Sequence, residues 1–90
     1  RESPSISIIQ KLQMLNAQIQ YYDPYVNSIE INDKLLKSIK NLTSKRIQSF
    51  DITLLLTDHD EVNYKDILNN SSKIIDTRNV YKPHRKVKQA

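Results

Sequence analysis

Apolar side chains recur along the chain at two different spacings, and the change of spacing divides it into elements. Ile8, Ile9, Leu12 and Leu15 return at three- and four-residue steps, which marks one face of a helix. Ser3 followed by Pro4 reads as its N-cap and first helical residue, because proline lacks an N–H that the first turn leaves unused. Asn16 is the expected stop, since asparagine tolerates the left-handed conformation that closes many helices. Gln18-Ile19-Gln20-Tyr21-Tyr22 alternates like a strand, and Asp23-Pro24 ends it, because proline cannot continue a ladder. After a loop through Tyr25–Ser28, Ile31, Leu35, Ile39 and Leu42 share one side of a second predicted helix. Ile52-Thr53-Leu54-Leu55-Leu56 lacks clean alternation, the mark of a strand covered on both faces. Beyond the polar Thr57–Glu61 loop, Asn63 is placed to cap a short helix through about Asn69, with Asp66 in the third position of a capping box. Lys73-Ile74-Ile75-Asp76 is a last short strand, and from Lys82 onward no apolar pattern remains, which predicts a loose tail.

The resulting order alternates helix and strand. Alternation of this kind builds an α/β fold, a Rossmann-like three-layer parallel sheet with helices on both faces and right-handed crossovers. The first helix has no strand before it, so the expected fold is a unit whose first strand is missing, a truncated domain over residues 1–82 followed by a basic tail over 83–90. Ninety residues fit one small domain, and a chain of that size buries only roughly 60% of its unfolded surface.

Composition removes several classes of chemistry. The chain has no cysteine, hence no disulfide, thiolate metal site or cysteine nucleophile. It has no glycine, so neither a dinucleotide fingerprint nor a P-loop can form within it. The longest apolar run, Leu54-Leu55-Leu56, is far short of a membrane span. The net charge of +4 is concentrated at one end: residues 1–81 hold ten basic and ten acidic side chains, and the excess is Lys82, Arg85, Lys86 and Lys88. A second basic stretch, Lys34, Lys37, Lys40, Lys45 and Arg46, has no aromatic residue interleaved to stack bases, so it reads as a solvated face rather than a nucleic-acid surface.

Ligands of open parallel sheets sit beyond the carboxyl ends of the strands. The predicted ends are Asp23, the Thr57–Glu61 loop and Asp76-Thr77-Arg78-Asn79, three polar clusters that either line a binding edge or simply make turns. Asp58, His59, Asp60 and Glu61 have the chemistry of metal ligands, but adjacent residues of one loop rarely converge on an ion without a second segment, and no metal site is expected. His59 as a general base lacks a recognisable nucleophile or orienting partner. Asp76 and Arg78 lie two apart, so an extended backbone points both to one side, as an ion pair at a turn or with the guanidinium aimed at a phosphate or a neighbouring subunit. Arg1 stands just before a helix start, where a cation opposes the helix dipole and an anionic ligand is welcome.

Four of these segments, Arg1-Glu2-Ser3-Pro4-Ser5, Tyr22-Asp23-Pro24-Tyr25-Val26, Thr57-Asp58-His59-Asp60-Glu61 and Asp76-Thr77-Arg78-Asn79-Val80-Tyr81, occur in an order that resembles the C-terminal domain of the UDP-glucose/GDP-mannose dehydrogenase family. The Thr-Asp-His and Asp-Thr-Arg-Asn forms look most like the branch that oxidises UDP-N-acetylglucosamine and related UDP-N-acetylhexosamines. The resemblance implies an NAD-dependent oxidation of a sugar 6-hydroxyl to a carboxylate, consuming two NAD, in a cytoplasmic enzyme of surface or capsular polysaccharide synthesis. It implies an N-terminal domain that binds NAD, a central helical region that makes a homodimer or higher oligomer, and a C-terminal domain that helps enclose the UDP-sugar. Arg1 matches the arginine of the family's Arg-Glu-Ser motif and is expected to reach the NAD; Asp23, His59 and Arg78 are expected as substrate-side or subunit contacts. The family's catalytic cysteine and its Phe-Lys pair belong to segments preceding this domain, so the ninety residues by themselves are expected to be inactive; Asn16 stands where glycine is usual, a substitution the left-handed conformation tolerates. The expected partner is a UDP-sugar, with no nucleic acid and no membrane. The runner-up readings are a UDP-glucose or UDP-N-acetylmannosamine dehydrogenase, a small basic nucleic-acid-binding module, and a non-catalytic α/β interaction domain.

Overall fold

A computed structural model describes residues 4–89, so Arg1 and the expected N-cap Ser3 lie outside the described residues. The chain divides into two compact units, Arg1–Asn41 and Leu42–Ala90.

The first unit opens with α1, Pro4–Met14. Asn16 closes it as expected. With φ at 67° it turns the chain left-handed, its N–H donates to the Gln13 carbonyl at 2.9 Å, and the Ala17 N–H reaches back to Leu12 at 3.1 Å. This pair of bonds is the Schellman closure, which satisfies carbonyls the helix end would otherwise leave open. Ile9 is buried and Ile8 and Leu12 partly so. Leu15, expected on the same face, is exposed because the helix has already ended.

The predicted strand over 18–22 joins no sheet among the described residues. Alternation is necessary for a strand, but a ladder also needs a partner edge. Here the Tyr21 carbonyl accepts from Ile39 N–H at 2.9 Å. The next backbone groups are taken by a side chain instead: Asp23 N–H donates to Ser38 Oγ at 2.9 Å, and Ser38 Oγ donates to the Asp23 carbonyl at 3.2 Å.

The predicted second helix is also absent from its place. Its first half is an antiparallel hairpin of β1, Ser28–Ile31, and β2, Lys34–Lys37. The register sets Ile29 opposite Leu36 and Glu30 opposite Leu35. Ile29, Ile31 and Leu36 therefore share the covered face, and Leu35, which a helix would have placed inside, is exposed. Asn32 and Asp33 form the two-residue turn with φ of 52° and 65°. Left-handed angles at both positions define the hairpin turn whose twist matches its strands, and Asn and Asp tolerate it without glycine.

The second unit begins with α2, Ser44–Gln48, capped by Thr43, whose Oγ1 accepts from Arg46 N–H at 3.2 Å. A βαβ unit follows: β3 is Thr53–Leu55, α3 is Tyr64–Asn70 and β4 is Ile74–Asp76. Asn63 caps α3 as expected, accepting from Asp66 N–H at 3.0 Å, a bond worth about 1 kcal/mol. The Asp66 carboxylate points forward, accepting from Asn70 Nδ2 at 2.8 Å and from Ser44 Oγ at 3.3 Å.

The tail is not loose. Val87–Gln89 forms β5, which pairs parallel with β4, giving a sheet of order β3-β4-β5. Val87 packs on the core formed by Ile47, Leu55, Ile67 and Ile74. Lys86 Nζ donates to the Leu68 and Asn69 carbonyls at 3.1 and 3.3 Å, placing a cation where the α3 dipole is negative. The expected α/β class therefore holds, as a parallel three-stranded sheet flanked by helices in a Rossmann-like arrangement, with the third strand drawn from the tail rather than from residues 19–22. No helix among the described residues is long and apolar enough to cross a membrane.

Candidate functional site

Because β3, β4 and β5 run parallel, their carboxyl ends lie along one edge of the sheet. The segments leaving that edge after β3 and β4 contain His59 and Arg78, so the structure brings these two expected site residues to the same side of the sheet. Asp23 belongs to the other unit, where it builds a turn: its Oδ1 accepts from Tyr25 N–H at 2.7 Å and Val26 N–H at 3.1 Å. That is the local bonding that suits aspartate before a proline turn. Arg1 lies outside the described residues.

The loop after β4 is organised by one carboxylate. Asp76 is 0% exposed. Its Oδ1 accepts from Arg78 N–H and its Oδ2 from Tyr81 N–H, both at 2.9 Å. Of the two arrangements open for Asp76 and Arg78, the ion pair does not form: the carboxylate bonds to the backbone, and the exposed Arg78 guanidinium holds no partner among the described residues. The reason is geometric: an aspartate side chain reaches the amide two residues on more readily than the end of a long side chain. Thr77 fastens the start of the same loop to β3, its Oγ1 donating to the Leu55 carbonyl at 2.6 Å. Asn79 passes the chain through φ of 57°.

Two tyrosines join the loops. Tyr81 Oη donates to the Tyr64 carbonyl at 2.5 Å, and the rings meet edge to face with centroids 6.4 Å apart. Tyr64 Oη accepts from the half-buried His59 N–H at 2.8 Å and donates to the Thr57 carbonyl at 3.4 Å. Neither tyrosine stands out in the sequence, because their partners lie up to 17 residues away and leave no local spacing to read. Burial first, then the Asp76 carboxylate and Tyr64, hold the Tyr81 hydroxyl far above the ordinary phenol value. A group raised in the folded state stabilises the fold fully below its unfolded value of 10.0, and that contribution is lost as pH rises towards the folded value. Phenolate absorbance from Tyr81 is therefore expected to appear together with alkaline unfolding. A folded protein in which all five tyrosines ionise at the ordinary value would contradict this.

Among the described residues no group of three or more His, Asp or Glu side chains is arranged to hold a metal ion, and Asp58, His59, Asp60 and Glu61 do not converge on one. At this edge the Arg78 side chain is exposed, while the Thr77 and Tyr81 hydroxyls and the Arg78 and Tyr81 amides are taken up in bonds within the unit.

A parallel α/β domain of Rossmann-like type, with its polar side chains gathered beyond the carboxyl ends of the strands, is the class that fold and edge together define. The family model described as UDP-glucose/GDP-mannose dehydrogenase family, UDP binding domain, matches residues 1–83, and the chain belongs to that family. No curated protein and no solved structure matches the chain significantly.

Proposed function

We propose that this chain is the substrate-holding domain of an NAD-dependent UDP-N-acetylhexosamine 6-dehydrogenase. The match to a UDP-binding domain over residues 1–83 carries the reading. The exposed, unpartnered Arg78 at the carboxyl edge of the sheet supplies the chemistry, because a planar guanidinium matches the paired oxygens of a diphosphate. In the overall reaction the sugar C6 hydroxyl becomes a carboxylate as two hydrides pass to two NAD and one water is consumed. The chain contains no glycine for a close pyrophosphate turn, so NAD is assigned to a separate domain, with Arg1 reaching towards it. The Thr57-Asp58-His59 and Asp76-Thr77-Arg78-Asn79 forms favour an N-acetylated sugar over glucose. Asp23 and His59 shape the turns at which they stand. The working enzyme is a cytoplasmic homodimer or higher oligomer that supplies oxidised sugars for surface polysaccharide.

Titration of UDP into the full-length protein tests the reading. Arg78→Ala is expected to weaken UDP binding by between about ten- and a hundredfold, the loss of charge-assisted hydrogen bonds worth roughly 1.5–3 kcal/mol. Arg78→Lys restores charge without the fork and should recover only part of it. Unchanged affinity in Arg78→Ala removes Arg78 from the site.

A further inference from the structure

Among the described residues Asp76 is the charged side chain that is fully buried. Such a charge is costly unless each oxygen is satisfied. A strand end can be built without it, so its presence calls for a reason beyond the sheet. Both oxygens are spent on one object, the loop that carries Arg78. One takes the amide of Arg78 itself and the other the amide of Tyr81, closing the loop around the carboxylate at both ends. Between them Asn79 sits in the left-handed region at φ 57°, which lets the chain turn back within so few residues. Thr77 pins the near end to the β3 carbonyl of Leu55, and Gln89 Nε2 holds the far end by donating to the Tyr81 carbonyl at 3.0 Å. The loop is thus tied at its start, middle and end, while the guanidinium it presents is left without a partner.

We infer that Asp76 is a positioning residue for Arg78: its buried carboxylate fixes the Arg78–Tyr81 backbone so that the guanidinium is presented preorganised to the diphosphate of the ligand. This rests on the proposal above that Arg78 meets UDP. The chemistry follows from the bond pattern. An amide at position 76 would keep one acceptor for one backbone N–H and turn an NH2 against the other, so the clamp opens at one end with little change of volume. A loop released in this way keeps its arginine but has to order it on binding, which reduces affinity.

The experiment is a double-mutant cycle in the full-length protein, with UDP as the probe and backbone amide exchange as a second readout. Asp76→Asn is expected to speed exchange at the Arg78 and Tyr81 amides and to weaken UDP binding about tenfold. In the Arg78→Ala background the same change is expected to cost almost nothing further, because Asp76 acts only through Arg78. Asn79→Val strains the loop from an exposed position and serves as the second variant if Asp76→Asn does not fold. It should show the same loss and the same lack of additivity, whereas Asn79→Gly should retain wild-type affinity. If Arg78→Ala leaves UDP affinity unchanged, the parent reading falls and this inference falls with it. If Arg78→Ala weakens binding while the clamp variants do not, or do so additively, the positioning role alone is overturned.

Discussion

Replacing Ile74 by alanine is expected to destabilise the parallel-sheet unit by about 3–4 kcal/mol, the middle of the roughly 2–5 kcal/mol found for truncating a buried Ile or Leu. Ile74 is 0% exposed and stands on the central strand, with β3 on one side and β5 on the other. Its side chain packs with Ile47, Leu55 and Ile67, so the lost atoms leave a void bounded by α2, β3 and α3 residues that their own strands and helices hold in place. The ladder bonds on both sides of β4 restrict the collapse that would relieve it. A small domain has only a handful of kcal/mol in total, so this single change removes a large share of the folded population. Urea denaturation of the protein and the variant measures it. Ile74→Val, which removes one methylene, should cost about 1 kcal/mol, and Ile52→Ala, at a side chain 51% exposed, should fall within about 0.5 kcal/mol of wild type. An Ile74→Ala protein less than about 1 kcal/mol below wild type would mean that the cluster around β4 is not the core.

What could be read from the sequence was what is decided within a few residues. Asn16 in the left-handed closure of α1 and Asn63 as the cap of α3 are both local choices, and each is where it was expected. The β3-α3-β4 unit followed from the cap at Asn63 together with the apolar runs at 52–56 and 73–76 on either side of it. The hairpin did not, because Ile31, Leu35, Ile39 and Leu42 satisfy a helical spacing as well as any helix does. The competing signal was the Asn32-Asp33 pair, two residues able to adopt left-handed angles in succession, which a helix interior does not use. Alternation over 18–22 was real, but the segment and Asp23 after it meet residues 38 and 39 through single bonds, those of Asp23 to the Ser38 hydroxyl, and not through a ladder. At the candidate site, Asp76 and Arg78 were legible as a coupled pair. The sequence could not tell which atoms couple: the carboxylate chose the backbone amides, and burial of that carboxylate is set by strands on both sides. The bonding of Tyr64 and Tyr81 was not legible because a hydroxyl reaching a carbonyl in another element has no sequence period.

The second large effect is expected from shortening the tail. Ending the chain after Pro83 should abolish cooperative unfolding of the second unit, although this cut retains every residue that matches the family. Several separate contributions disappear together. The β4–β5 ladder goes, including the Ile74 N–H bond to the Lys86 carbonyl at 2.9 Å, and the outer edge of β4 is left to water. Each lost ladder bond is worth about 1 kcal/mol net. Val87 leaves the hydrophobic cluster, the α3 carboxyl end loses its lysine, and the Tyr81 carbonyl loses Gln89. Their sum reaches the total stability of a domain this size, and the uncovered β4 edge becomes a template for association. Charge is separable from structure here. Replacing the exposed Lys82, Arg85 and Lys88 by glutamine together removes most of the basic excess while leaving β5 its backbone pairing. That variant should unfold within about 1 kcal/mol of wild type and bind UDP unchanged, whereas Lys86→Gln should lose more through α3 than the other three combined. If the truncated chain melts as cooperatively as the intact one, β5 contributes nothing to the sheet. If instead the triple glutamine variant loses a salt-dependent affinity for nucleic acid, the excess charge has a partner of its own.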